Sequence, residues 1–231
     1  MARPAAFLDV DGTLLRGVSL FRFLAHDLRR RGLGPAAFEA AMAENRRLKA
    51  LGTPREEVNR AFYRQFAGRE VGELARHGEQ WWAEEERGGG LLDPLVLAAV
   101  RRHQAAGEPV VLVSGSFPPC LDPIARRTDA TTVLCTRPAI RDGRYTGAVA
   151  HPMIGARKVH AIEELATLLD LDLTRSHAYG DHASDLPMLE AVGHPVVVGP
   201  DPDLHRTAAA RGWARLDRST PEPGRPTPER E

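Results

Sequence analysis

A short apolar run, Ala5-Ala6-Phe7-Leu8, breaks into Asp9-Val10-Asp11-Gly12-Thr13, and a second run bounded by turns is Val110-Val111-Leu112-Val113. Runs of this length, apolar at successive positions and closed by turn residues, suit strands buried on both faces of a parallel sheet. Strands are expected at 5–10, 109–113, 131–134, 177–179 and 195–198. Helical patterns over 94–104, 118–125, 156–169 and 184–191 separate the later ones. Strands alternating with helices predict an α/β fold with a parallel sheet. A hairpin is expected at Asp142-Gly143, between Ala139-Ile140 and Tyr145-Thr146.

The long gap after the first strand reads as helix throughout. Residues 18–31 carry apolar side chains at helical spacing, and Gly32 and Gly34-Pro35 stop them. A second helix is expected over 36–50. Thr53-Pro54-Arg55-Glu56 opens a third, containing Val58, Phe62 and Phe66. A fourth covers 70–86, and Gly88-Gly89-Gly90 marks the join. The expected organisation is a discontinuous core, 1–14 and 91–216, carrying a helical insertion at 15–90. Residues 217–231 hold prolines and no apolar run, which predicts a disordered tail.

With 31 basic and 31 acidic residues in 231, the net charge is zero. No global field favours nucleic acid or an anionic membrane. Cys120 and Cys135 make neither a disulfide framework nor a zinc cluster. No secretory signal and no stretch of ~20 apolar residues is visible, so a cytoplasmic protein without stable membrane insertion is expected. The composition sets no oligomeric state.

Asp9 stands where open α/β sheets bind ligands, just beyond a strand. A carboxylate there can attack phosphorus, and Asp11, two residues on, can serve as acid and base. Ser114-Gly115-Ser116 follows the second strand and offers hydroxyl and amide donors to a phosphate. Lys158 opens a helix and can neutralise phosphoryl oxygens. Asp181 and Asp185 follow a late strand and can hold a hard cation such as Mg2+. Each element alone also has an ordinary reading: a solvent-facing turn, a helix cap, an exposed lysine, first-turn acids on a helix.

Taken together and in this order, DVDGTL, VLVSGS, Lys158 and GDHASDLPML resemble the haloacid dehalogenase superfamily of phosphatases. That resemblance implies a Rossmann-like core. It makes Asp9 the nucleophile and Asp11 the acid/base, with Ser114, Gly115 and Lys158 on the phosphate. Mg2+ falls to Asp9, Asp11, Asp181 and Asp185, with Asp11 contributing its backbone carbonyl. A helical cap between the first two motifs is similar to that of the phosphoserine-phosphatase-like group. Phosphoserine phosphatase itself has a cap glutamate and arginine, onto which Glu39, Glu44, Arg46 and Arg47 do not align, and Gly12 stands where it commonly has serine. Arg46 and Arg47 are the candidates for an acidic substrate group, with His26 and Arg64 as further basic residues. Phe21, Phe23, Phe62, Phe66, Trp81 and Trp82 are available for a lid or for the cap's own core. His182, beside the metal acids, is not expected to be a ligand. The implied activity is magnesium-dependent hydrolysis of a small, soluble phosphate monoester through an aspartyl-phosphate. Transfer to another alcohol, hydrolysis of a lipid-linked ester, and non-catalytic binding of a phospho-ligand are the alternatives.

Overall fold

The computed structural model describes residues 2–217. The expected tail therefore lies, apart from Asp217, outside the described residues. The chain opens with β1 (Ala6–Leu8) and then runs through four helices: α1 (Ser19–Arg30), α2 (Pro35–Ala50), α3 (Arg55–Phe62) and α4 (Val71–Arg87). After α5 (Pro94–Ala105) come β2 (Val110–Ser114), α6 (Pro118–Thr128) and β3 (Thr132–Cys135). The hairpin is β4 (Ile140–Arg141) and β5 (Arg144–Tyr145). Next are α7 (Ala156–Leu169), β6 (His177–Gly180), α8 (Leu186–Glu190), β7 (His194–Val198), α9 (Pro202–Arg211) and β8 (Ala214–Leu216).

Six strands form one parallel sheet in the order β3-β2-β1-β6-β7-β8. The chain passes from β1 to β2 on one side and returns to β6 on the other. The C-terminal ends of β1, β2 and β6 therefore flank the point where strand order reverses. Alternate residues divide between two apolar clusters, as the period of a strand requires. Leu8, Leu112, Tyr179 and Val198 face one cluster, and Phe7, Val111, Ala178 and Val197 face the other. Helices cover both faces, which is why these strands are apolar at every position.

The helices of the insertion are not an independent body. Phe23 of α1, Phe66 of the 3₁₀ turn after α3 and Trp81 of α4 belong to the same cluster as Leu8 and Leu112 of the sheet. Phe117 at the head of α6 lies 5.7 Å from Phe23 and 4.8 Å from Phe66, ring centroid to ring centroid. Trp81 and Trp82 are thus buried packing groups rather than a membrane or acyl surface. The contact between α4 and α6 is closest at Gly78, where an added Cβ would stand 1.9 Å from the Pro119 carbonyl oxygen. Backbone cannot yield as a flexible side chain would. Gly78→Ala is expected to lower stability by about 1–3 kcal/mol despite alanine's better helix propensity, measurable by urea unfolding. An unchanged or raised midpoint would contradict this packing.

Among the described residues no helix is long and apolar enough to cross a membrane. Two elements differ from the expectations in instructive ways. β1 is shorter than 5–10 because Asp9 and Val10 turn their carbonyls to Leu14 and Leu15. The expected helix at 184–191 begins as a 3₁₀ turn, Ala183–Asp185, before α8.

Candidate active site

Asp9 continues β1 by one residue, donating its amide to the Tyr179 carbonyl at 2.9 Å, and so stands at the mouth between β1 and β6. The chain then turns sharply. Gly12 adopts φ 91°, and a Cβ there would lie 2.2 Å from Asp181 Oδ2, so only glycine lets the two acidic loops approach. Thr13 Oγ1 donates to Asp181 Oδ1 at 3.0 Å and ties the loops together.

The Asp11 carboxylate accepts the backbone N–H of Ser19 at 2.7 Å. Val18 cannot cap α1 with its own side chain, so Asp11 supplies that acceptor from outside the helix. Burial raises the Asp11 carboxyl above its ordinary value, against the downward pull of the Ser19 hydrogen bonds. A carboxyl so placed keeps its proton to higher pH, which suits an acid.

Lys158 lies in the first turn of α7 and is 3% exposed. Its Nζ donates to Asp9 Oδ1 at 2.5 Å and to Asp185 Oδ1 at 2.7 Å. Burial alone would lower this ammonium, yet Asp185 and Asp9 hold it above its ordinary value. Burial pushes the Asp9 carboxyl well up; Lys158 opposes the shift, and Asp185 and Asp181 reinforce it. The His182 side chain accepts the Ser184 N–H at 3.0 Å while Asp185 accepts the His182 N–H at 3.3 Å, a capping box that fixes the acidic turn. That gives His182 a structural task.

Ser114 ends β2, and its hydroxyl accepts the Ser116 N–H at 3.0 Å. The Gly115 carbonyl accepts from Tyr63 Oη at 2.7 Å and from Asn59 Nδ2 at 3.1 Å. Ser19 Oγ donates to Ser116 Oγ at 2.9 Å. These bonds join the helical stretch to the loop after β2.

Oxygen atoms of Asp9, Asp181 and Asp185 lie within 4.8 Å of one another. Three carboxylates face one lysine in a largely buried corner, and the two neighbours push Asp9 toward protonation. An all-oxygen donor set with excess negative charge fits a hard divalent cation.

A cavity of about 570 Å³ collects Asp9, Asp11, Ser114, Gly115, Lys158 and Asp181, with Asp185 behind them on Lys158. Arg46 and Arg47 are not among its lining residues. Arg46 pairs with Glu39 at 3.2 Å and Arg47 with Glu44 at 2.7 Å, all four exposed on the outer side of α2. The reason is helical phase: Ala41 and Asn45, four residues apart, are the buried face of α2, and Arg46 and Arg47 follow it round toward solvent. His26 pairs with Glu84 rather than the cavity. The cavity wall from the insertion is instead Phe21, Asn45, Lys49, Arg55, Asn59 and Phe62 with smaller neighbours. Sequence reasoning missed Asn45, Lys49, Arg55 and Asn59 because no local pattern marks them. Thr13 was within reach, standing inside DVDGT.

The haloacid dehalogenase-like hydrolase family model matches residues 6–190. A probable phosphatase of Mycobacterium tuberculosis is 44% identical over 135 residues, 57% of this chain and 47% of that protein. The match thus spans about half of that relative's length. A phosphoserine phosphatase of the same species is 32% identical over 228 residues, covering 92% of this chain and 70% of its own. The crystal structure of a Bordetella pertussis Tohama I protein of unknown function superposes with a TM-score of 0.83 at 30% identity, covering 94% of this chain and 99% of that one. The chain belongs to the haloacid dehalogenase-like hydrolases, in their phosphoserine-phosphatase-like group.

Proposed function

We propose that this protein is a phosphatase that hydrolyses a small phosphate monoester through an aspartyl-phosphate on Asp9. The observation that carries the reading is the Asp9 carboxylate held against the Lys158 ammonium at the sheet's switch point, with Asp11 beside it in one cavity. An Asp9 oxygen attacks phosphorus and the bond to the ester oxygen breaks. Asp11 gives its proton to the departing alkoxide. Asp11, now ionised, takes a proton from water as that water attacks the same phosphorus. The acyl-phosphate bond breaks, and phosphate leaves with Asp9 restored. Lys158 orients Asp9 and faces the phosphoryl charge, and the Ser114 and Gly115 loop holds its oxygens.

Mg2+ would be held by Asp9, Asp181 and the Asp11 carbonyl, with Asp185 supporting. When bound it supplies positive charge against the phosphoryl oxygens. Residues 15–90 act as the cap that shapes the alcohol's side of the cavity, and the cytoplasm is the proposed site of action.

The test is to mix the protein with Mg2+ and a phosphate ester labelled in the phosphoryl group, quench in acid and map the label. Label on Asp9 is the expected result. Label on Ser114, or turnover without any labelled protein, would exclude this route.

A further inference from the structure

We infer that the cavity selects a phosphate ester whose alcohol carries an anionic group on an apolar body, and rejects one whose alcohol carries an amine. The inference rests on the phosphatase reading for the reacting end and concerns the opposite wall.

Two cations of the insertion line that wall, Lys49 and Arg55, and among the described residues neither has a carboxylate within ion-pair distance. Arg46, Arg47 and Arg60, by contrast, are occupied by Glu39, Glu44 and Glu57. Arg55 is close enough to the chemistry for its charge to draw down both the Asp11 carboxyl and the His182 imidazolium. Asn59 is the independent sign of a ligand: it lines the cavity, its Nδ2 donates to the Gly115 carbonyl, and its buried Oδ1 has no hydrogen-bond partner among the described residues. A buried acceptor left unpaired costs free energy that a hydroxyl of the ligand would recover.

The carboxylates lining the cavity are Asp9, Asp11 and Asp181, all at the reacting end. Glu56, next to Arg55, is turned against Gly155, where an added Cβ would stand 2.9 Å from its Oε1. A substrate ammonium would therefore leave water to meet two cations and no counter-charge, whereas a carboxylate or second phosphate would meet both. Between the two ends, the Phe21 and Phe62 rings lie 5.3 Å apart, tilted by 50°, and offer an apolar wall. Lys49 lies over the Phe21 ring at 5.9 Å, its charge directed along that wall.

The experiment compares two aryl phosphates with the same leaving group, one bearing a carboxymethyl arm and one an aminoethyl arm. Affinity is measured by calorimetry on Asp9→Asn protein, and kcat/KM on the unaltered protein. The carboxymethyl ester is expected to be favoured about tenfold or more in both, the scale of two partly exposed cations. In a Lys49→Glu, Arg55→Glu double variant the ratio should fall to one or below. Equal or better binding of the aminoethyl ester, or a ratio untouched by the double reversal, would overturn the inference. If binding keeps the expected order while no ester is hydrolysed, the cavity's preference stands and the phosphatase reading falls.

Discussion

Asp9→Asn is expected to lower turnover by about 10⁴-fold or more, the scale at which loss of a covalent nucleophile registers, and to abolish the labelled protein. Asparagine is nearly isosteric, and its amide oxygen can still accept from Lys158. Lys158 also keeps its bond to Asp185. Because burial already disfavours the Asp9 carboxylate, removing that charge should not unfold the chain. The check is single-turnover and steady-state kinetics beside a thermal melt. Retained activity in a folded variant would exclude Asp9 as the nucleophile, and loss of activity with loss of the fold would be resolved by the mapped label on the unaltered protein.

Asp11→Asn should lower the rate by about 10²–10⁴-fold on an alkyl phosphate. The loss in the phosphorylation step should be much smaller for nitrophenyl phosphate, whose leaving group needs no proton. The structure makes this variant clean, because an asparagine oxygen can still accept the Ser19 amide that the carboxylate now holds. Proton transfer is lost while the start of α1 stays capped. In the unaltered protein the acid works only while protonated. Burial raises its pKa, so phosphorylation by alkyl esters should stay fast to higher pH than an ordinary aspartate would allow and decline beyond the raised value. Equal losses for alkyl and nitrophenyl esters in a single turnover would exclude the proton-donating role.

The sheet was legible because its strands are short, apolar on both faces and closed by turns. That pattern marks β1, β2 and β7 without help from distant residues, while β6, opening on His177, shows it only faintly. β8 was not legible, since Ala214-Arg215-Leu216 is an exposed edge strand of three residues, too short for an apolar run or an alternation to register. The reacting end was legible for a related reason. Asp9 and Asp181 follow directly on strands and Ser114 ends one, so reading the strand also locates the residue. The cavity's far wall depends on which side of α2 faces inward. That side is carried by Ala37, Phe38, Ala41, Met42 and Asn45, a stripe that stands out little in a helix with alanines all round it. The aromatic residues, open in the sequence to a lid or to the cap's own core, divide: Phe23, Phe66 and Trp81 are packed inside, while Phe21 and Phe62 reach the cavity.

The close approach of Gly78 to Pro119 divides the helical insertion into parts with different freedom to change. α1 and α4 share their apolar side with the sheet and α6, so a substitution there is felt by the whole fold. α2 meets the core through Ala41, with Ala37, Phe38 and Met42 partly buried against it, while its other face, with Glu39, Glu44, Arg46 and Arg47, is exposed. Exposed positions of this kind tolerate replacement within about 0.5 kcal/mol. The catalytic acids and their scaffold can thus be kept intact while α2 and the start of α3 drift. A lineage, or an engineer, could re-dress that one wall to admit a different alcohol without first having to restabilise the protein.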